Sequence, residues 1–118
     1  MSFIDSNLGL NYGWALGESG WNDDMDDNLK RIGTLLGLSV KDRSLSTPPG
    51  TLTDGDRYLV SSGSSGDWAG HDSDVALWDD NLSSWVFYTP KVGWLCYVEN
   101  EDKLCMYKNT GWSSGISI

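Results

Sequence analysis

The chain has 118 residues, enough for one domain and too few for two ordinary ones. Its 8 basic and 17 acidic residues give a net charge of −9, which argues against electrostatic binding to nucleic acid or to an anionic membrane. The sequence has no apolar run near the roughly 20 residues of a membrane span, and its start lacks the basic and apolar blocks of a signal peptide. We expect a chain that is made in the cytoplasm and not exported by the general route.

The first distinctive segment, residues 11–21, is rich in both glycine and aromatic residues. A flexible linker would combine glycine with serine and few aromatics. The aromatic side chains here favour burial, on the domain itself or on a partner; they are Tyr12, Trp14 and Trp21, called the arm aromatics below. A small domain has little spare apolar surface, so we predict an extended arm that lies on a partner.

A helix is predicted after the arm. Asn22 or Asp23 can cap its first turn, and Gly37 can end it in a left-handed turn. Four apolar residues recur at intervals of four, three and four positions and form the apolar stripe: Met25, Leu29, Ile32 and Leu36. Because so short a helix is marginal alone, it must pack on its own domain or on copies of itself.

From residue 46 onward the pattern is typical of short β-strands separated by turns. The candidate strands are residues 57–60, 75–78, 84–88, 93–98 and 103–107, with a last one that opens at Trp112. Their spacing predicts a small antiparallel hairpin sheet or barrel. The expected fold class is therefore mainly β with one amino-terminal helix (α+β). We divide the chain into the arm and helix, residues 1–45, and a β domain, residues 46–118.

Two predicted hairpins carry informative side chains. Trp78 and Trp85 lie on opposite arms of one hairpin, and we expect them to pack in the β domain rather than hold a ligand. Cys96 and Cys105 lie on opposite arms of another. If residues 100 and 101 form its loop, the two cysteines pair at a non-hydrogen-bonded site, where Cα atoms approach to about 4.5 Å. A disulfide is possible there; the alternative is two reduced apolar side chains in the cytoplasm.

The sequence offers no convincing catalytic or metal-binding set. His71 is the only histidine, and neither a G-x-S-x-G nor a C-x-x-C motif occurs. We therefore expect no enzymatic activity, no cofactor and no metal. Trp68 lies in a predicted loop with His71 and Asp72, and this trio is the best local candidate for contact with a sugar.

Much of the chain resembles proteins of phages, prophages and gene transfer agents. Residues 17–29 (GESGWNDDMDDNL) look like a segment near the start of their tail-fibre and head-spike proteins. Residues 47–50 (TPPG), 54–60 (DGDRYLV) and 68–71 (WAGH), with the tryptophans and residues 88–95 that follow, are similar to an accompanying small β domain. This domain has no assigned activity and occurs mainly in alphaproteobacteria. The likeness covers roughly residues 13–112 and carries over no catalytic residue.

The resemblance implies a structural virion protein: a short tail fibre, a head fibre or decoration protein, or a fibre adaptor. Such proteins are often homotrimers, so the apolar stripe is expected at a trimer contact. The arm aromatics would dock on a tail, baseplate or capsid protein. The expected location is the virion, and the host cytoplasm during assembly. The alternative function is a carbohydrate-binding module that contacts host surface glycans through Trp68, His71 and Asp72.

Overall fold

The structure is a computed structural model that describes residues 3–117. In this part of the chain one α-helix and a short 3-10 helix accompany ten short β-strands, so the expected mainly β fold class with one amino-terminal helix is confirmed. The strands form separate antiparallel and mixed sheets, and no closed barrel is present among the described residues. The chain divides after Gly37 into two compact units, which are described separately.

The first unit is a small hairpin followed by the helix. Strands β1 (Phe3–Ile4) and β2 (Asn11–Tyr12) pair antiparallel, and helix α1 spans Trp21–Leu35. Asp5 stabilises the loop between the strands, because its carboxylate accepts hydrogen bonds from the backbone amides of Leu10, Asn7 and Leu8. The amides of Leu10 and Asn7 are the main cause of the lowered pKa of Asp5.

The ends of α1 differ partly from expectation. The residue before the helix is Gly20, whose φ is 85°, and no side chain caps the helix. The predicted cap at Asn22 or Asp23 is therefore wrong. These residues lie within the helix, where acidic side chains of the first turn interact favourably with the helix dipole. At the other end Gly37 has a φ of 64°, the left-handed conformation that the sequence predicted.

The second unit begins with strand β3 (Ser39–Val40). A three-stranded antiparallel sheet follows, with strands β4 (Arg57–Leu59), β5 (Val75–Asp79) and β6 (Ser84–Tyr88) in that spatial order. In the register of β5 and β6, Trp78 lies opposite Trp85, so the two residues lie on opposite arms of one hairpin, as predicted.

The other sheet contains β3 and the four last strands. These strands are β7 (Leu95–Val98), β8 (Lys103–Lys108), β9 (Gly111–Trp112) and β10 (Ile116–Ser117). Strand β8 pairs antiparallel with β7, β9 and β10, whereas β3 pairs parallel with β7. This parallel pair was not predicted, and because of it residues 38–45 belong to the same compact unit as the β region.

The main aromatic cluster lies on one face of the β4–β5–β6 sheet. Trp68, which ends the 3-10 helix (Gly66–Trp68), is fully buried there and packs with Tyr58 and Ala76. The ring centroids of Trp68 and Tyr58 are 5.7 Å apart, and Trp85 adds edge-on contacts to both rings. The cluster thus holds the 3-10 helix against the sheet.

Arg43 ties the end of the chain to the rest of the second unit. Its guanidinium donates two hydrogen bonds of 2.9 and 2.8 Å to the carboxylate of Glu101. It also donates to the carbonyl oxygens of Ser113 and Ser114, each at 2.7 Å. The Glu101 hydrogen bond is the main cause of the raised pKa of Arg43, and Arg43 in turn lowers the pKa of Glu101.

Candidate functional site

Helix α1 has one buried and one exposed face. Asn28 and Leu35, seven positions apart on the same face, are only 6% and 8% exposed. Three residues of the apolar stripe are exposed to solvent, two of them for more than half of their surface: Leu29 is 59% exposed, Ile32 37% and Leu36 74%. Leu36 follows the last helical residue, so the stripe continues just beyond α1. An apolar stripe that its own chain leaves exposed is a candidate contact surface.

The buried face of α1 holds the arm by hydrogen bonds to backbone. The side-chain oxygen of Asn28 accepts from the amide of Asn11 at 2.6 Å, and its side-chain nitrogen donates to the Asn11 carbonyl at 2.8 Å. Asn28 thus satisfies both backbone groups of Asn11. One turn further on, the guanidinium of Arg31 donates to the carbonyl of Leu8 at 3.2 Å and pairs with Asp27.

The arm therefore folds back along its own helix, whereas the sequence favoured an arm extended on a partner. The physical reason is the Asn28 contact, which joins residues 17 positions apart and leaves no local sequence pattern. Trp14 is half-buried, and its indole N–H donates to Asp24 at 3.3 Å. The other two arm aromatics stay exposed, Tyr12 at 53% and Trp21 at 52%.

The open end of the hairpin, where β1 and β2 pair farthest from their connecting loop, presents further apolar surface. The rings of Phe3 and Tyr12 contact each other with centroids 5.6 Å apart, and both remain more than half exposed. Gly13 makes this possible, because a Cβ at that position would lie 2.7 Å from the Phe3 ring. Leu16 projects fully into solvent. The apolar stripe, the exposed arm aromatics and this end of the hairpin form what we call the assembly surface.

The structure does not support the predicted sugar contact at Trp68, His71 and Asp72. Trp68 is fully buried, so no face of its ring is open to a sugar, and this part of the prediction is wrong. The His71 ring stacks on Phe87 with centroids 3.6 Å apart, and its Nδ1 contacts Asp74 at 2.9 Å. Asp72 accepts hydrogen bonds from Ser64, which lower the pKa of its carboxyl.

A groove that the sequence analysis missed lies over the ends of β5 and β6. Its volume is about 370 Å³, and its lining combines aromatic and polar side chains: Leu52, Asp67, Trp78, Ser83, Ser84, Trp85 and Phe87. Trp85 and Phe87 are two positions apart on β6, so their side chains lie on the same face of the sheet. Trp78 lies opposite Trp85 and shares that face. This alternation was visible in the sequence, but we interpreted Trp78 and Trp85 only as packing residues.

The two cysteines pair as predicted, but at a different kind of site. Cys96 lies opposite Cys105 in the β7–β8 register. The amide of Tyr97 points away from β8, since it donates to Leu38, and the amide of Met106 donates to Ser113. Because amides alternate along a strand, Cys96 and Cys105 form a hydrogen-bonded pair, and the predicted non-hydrogen-bonded site is wrong.

Both cysteine side chains are buried free thiols in the structure. Burial is the main cause of their altered acidity: it raises the pKa of Cys96 to about 12 and also raises the pKa of Cys105. A thiol with so high a pKa is protonated at neutral pH and reacts slowly. The pair therefore acts as a packed element of the second sheet.

Two further findings concern residues 3–117. No group of three or more His, Cys, Asp or Glu side chains in this range is arranged to hold a metal ion. The helices described there are too short or too polar to traverse a bilayer.

A comparison with known protein families matches residues 25–113, about three-quarters of the chain. The chain belongs to the DUF2793 family. Proteins of this family have no known function. No curated protein and no solved structure shows significant similarity to the chain.

The DUF2793 match starts inside α1, so it includes the apolar stripe and the groove but not the arm. Because the DUF2793 family has no assigned activity, the function of this chain must be inferred from the geometry of these surfaces.

Proposed function

We propose that the chain is a structural subunit of a phage or phage-like particle, and that it assembles through the first unit. The observation that carries the proposal is the concentration of exposed apolar side chains in residues 3–36. Of the 14 large hydrophobic residues that are exposed in the described chain, 8 lie in this segment. Apolar surface gathered in this way, rather than scattered singly, is characteristic of a protein–protein contact.

In this proposal three copies of the chain associate through their apolar stripes, so that their three α1 helices pack around a common axis. The spacing of Met25, Leu29 and Ile32 places them on one side of α1, as a short three-helix contact requires, and Leu36 follows directly after the helix. The resemblance of residues 17–29 to phage fibre proteins supports a homotrimer. A net charge of −9 per chain opposes random association, so the contact must be specific.

The stripe alone is a weak contact. Complete burial of the exposed parts of Leu29, Ile32 and Leu36 contributes about 3 kcal/mol per chain. Association costs at least about 4 kcal/mol in lost translation and rotation. The exposed arm residues must therefore add to the buried area, either between copies or on a further virion protein.

The charges of the first unit also indicate what kind of surface this further virion protein must present. Residues 3–37 contain six acidic and two basic side chains around the exposed aromatics. A complementary partner presents an apolar recess with basic residues at its rim. A tail, baseplate or capsid protein with such a recess would hold the exposed rings of Tyr12 and Trp21.

Light scattering coupled to size-exclusion chromatography tests the trimer. The wild type is expected at three times the 13.0 kDa of one chain. Leu29→Asp with Ile32→Asp places two charges in the contact, so this variant should elute as a monomer with the indole NMR signals of the second unit unchanged. A matched control is Leu82→Asp with Val92→Asp, because these residues are 58% and 60% exposed in the other unit.

The control should remain trimeric, since it adds the same charge away from α1. A wild type that is monomeric at about 100 μM, where even weak specific contacts are populated, contradicts the trimer. Dissociation of the control to the same extent as the stripe variant would attribute the effect to added charge instead of to the apolar stripe.

Deletion of residues 1–21 tests docking on the particle. In a source strain that expresses only the truncated chain, the purified particles should lack this chain, because both exposed arm aromatics are removed. Truncated chain that is incorporated at the wild-type level contradicts the docking role of the arm.

A further inference from the structure

We propose that the groove over β5 and β6 binds an uncharged sugar ring of a polysaccharide. This binding function goes beyond the assembly role and uses other residues, all of them in the second unit. Either proposal can therefore fail without the other.

The aromatic rings that line the groove are held in place before any ligand binds. Trp85 contacts three other rings edge-on or tilted: its centroid is 5.2 Å from Trp68, 5.4 Å from Trp78 and 6.0 Å from Tyr58. The indole N–H of Trp78 donates to Asp80 at 2.6 Å. Rings that are fixed in this way lose little conformational entropy when a flat ligand stacks on them.

Aromatic faces of this kind suit the apolar side of a sugar. The π-face of an indole ring is electron-rich. The C–H groups on one side of a pyranose ring carry slight positive charge, so they stack favourably on it. Trp78 and Trp85 are each only partly buried, which leaves ring surface available in the groove.

The groove also supplies polar groups for the sugar hydroxyls. Asp67 lines it, and within residues 3–117 its carboxylate has no hydrogen-bond partner. The hydroxyl of Ser83 donates weakly to the Asp80 carbonyl at 3.4 Å and keeps its acceptor capacity. An apolar floor with a few convergent polar groups is the usual composition of a small-ligand site.

Size and charge narrow the ligand class. A volume of about 370 Å³ is near the lower end of ligand sites and accommodates one or two sugar rings. The Asp67 carboxylate and the net charge of −9 disfavour acidic sugars and phosphates. The favoured ligand is thus a neutral pyranose.

NMR of the tryptophan indole N–H groups tests the proposal on the intact chain. The probes are maltohexaose, cellohexaose and chitohexaose in its N-acetylated form, each raised to about 10 mM, which detects affinities in the millimolar range. Saturable shifts are expected for Trp78 and Trp85. The signal of Trp112, whose indole donates to the carbonyl of Ser73 at 2.9 Å, should not move.

A variant localises the binding without disturbing the aromatic cluster. Asp67→Tyr places a bulky ring at the exposed wall and removes the carboxylate, so the affinity should fall about tenfold or more. Ser62→Tyr is the matched control, because Ser62 is an exposed loop residue outside the groove lining, and it should bind as the wild type does.

Three results overturn the proposal. One is the absence of saturable shifts with all three neutral probes. Another is equal binding by wild type and Asp67→Tyr, which would place the site elsewhere. The third is tighter binding of an acidic probe, hexagalacturonate, than of any neutral one. An unfolded Asp67→Tyr variant is recognised from its indole spectrum, and Asp67→Ala then replaces it with an expected loss of about threefold or more.

Discussion

Replacement of Asn28 by alanine should release the arm while α1 stays folded. The structure gives Asn28 two hydrogen bonds to the backbone of Asn11, at 2.6 and 2.8 Å, and buries the side chain to 6% exposure. Each such bond contributes about 0.5–1.5 kcal/mol net, so their loss lowers the free energy of arm opening by about 1–3 kcal/mol. Alanine has a higher helix propensity than asparagine, by up to about 0.7 kcal/mol, so the helix itself is not weakened.

Amide hydrogen exchange measured by NMR checks this prediction. A loss of about 1–3 kcal/mol corresponds to exchange at the Asn11 amide that is roughly 5 to 150 times faster. Amides in the middle of α1 should keep their protection. Asn22→Ala is the matched control, since Asn22 is exposed on the same helix, and it should leave the Asn11 amide unchanged. Acceleration below about twofold in Asn28→Ala would refute the conclusion that Asn28 holds the arm.

Three further predictions concern the second unit, each checked by urea denaturation. Trp68→Ala should lower the free energy of unfolding by about 3–5 kcal/mol, because the ring is fully buried. Trp68→Phe should lower it much less, because phenylalanine keeps an aromatic ring there and removes an indole N–H that has no partner within residues 3–117. Arg43→Ala should lower the free energy of unfolding by about 2–4 kcal/mol, because four hydrogen bonds are lost. Arg43→Lys should restore less than half of this loss, because an ammonium group cannot bind all four acceptors in the same geometry. The raised pKa of Cys96 means that its contribution to stability is complete below about pH 9 and is lost as the pH rises towards 12. The stability of Cys96→Ala should therefore fall less steeply than that of the wild type between pH 8 and pH 11; equal slopes would contradict the raised pKa.

Local patterns predicted the elements that depend on neighbouring residues. The stripe spacing predicted α1, and Gly37 ended it as expected. Trp78 and Trp85 lie on opposite arms of one hairpin as predicted, and Cys96 pairs with Cys105 in the predicted register. These features follow from helical periodicity, turn residues and strand alternation.

Contacts between distant residues were not predictable in the same way. The two-residue strand Ser39–Val40 is too short to show alternation, and only its parallel partner β7 defines it. The burial of Trp68 depends on the 3-10 helix that places it over Ala76, a contact between segments that look like loop and strand in the sequence. The groove escaped notice for a related reason: Asp67 joins the β5–β6 hairpin only in the folded chain.

A cryo-electron microscopy map of the particle that contains this chain tests the central claim most directly. The account predicts three copies of α1 around a common axis, with Leu29, Ile32 and Leu36 at the contact between subunits. It also predicts density of a different virion protein against Tyr12 and Trp21. An apolar stripe that faces solvent in the assembled particle, or a particle from which the chain is absent, would contradict the account.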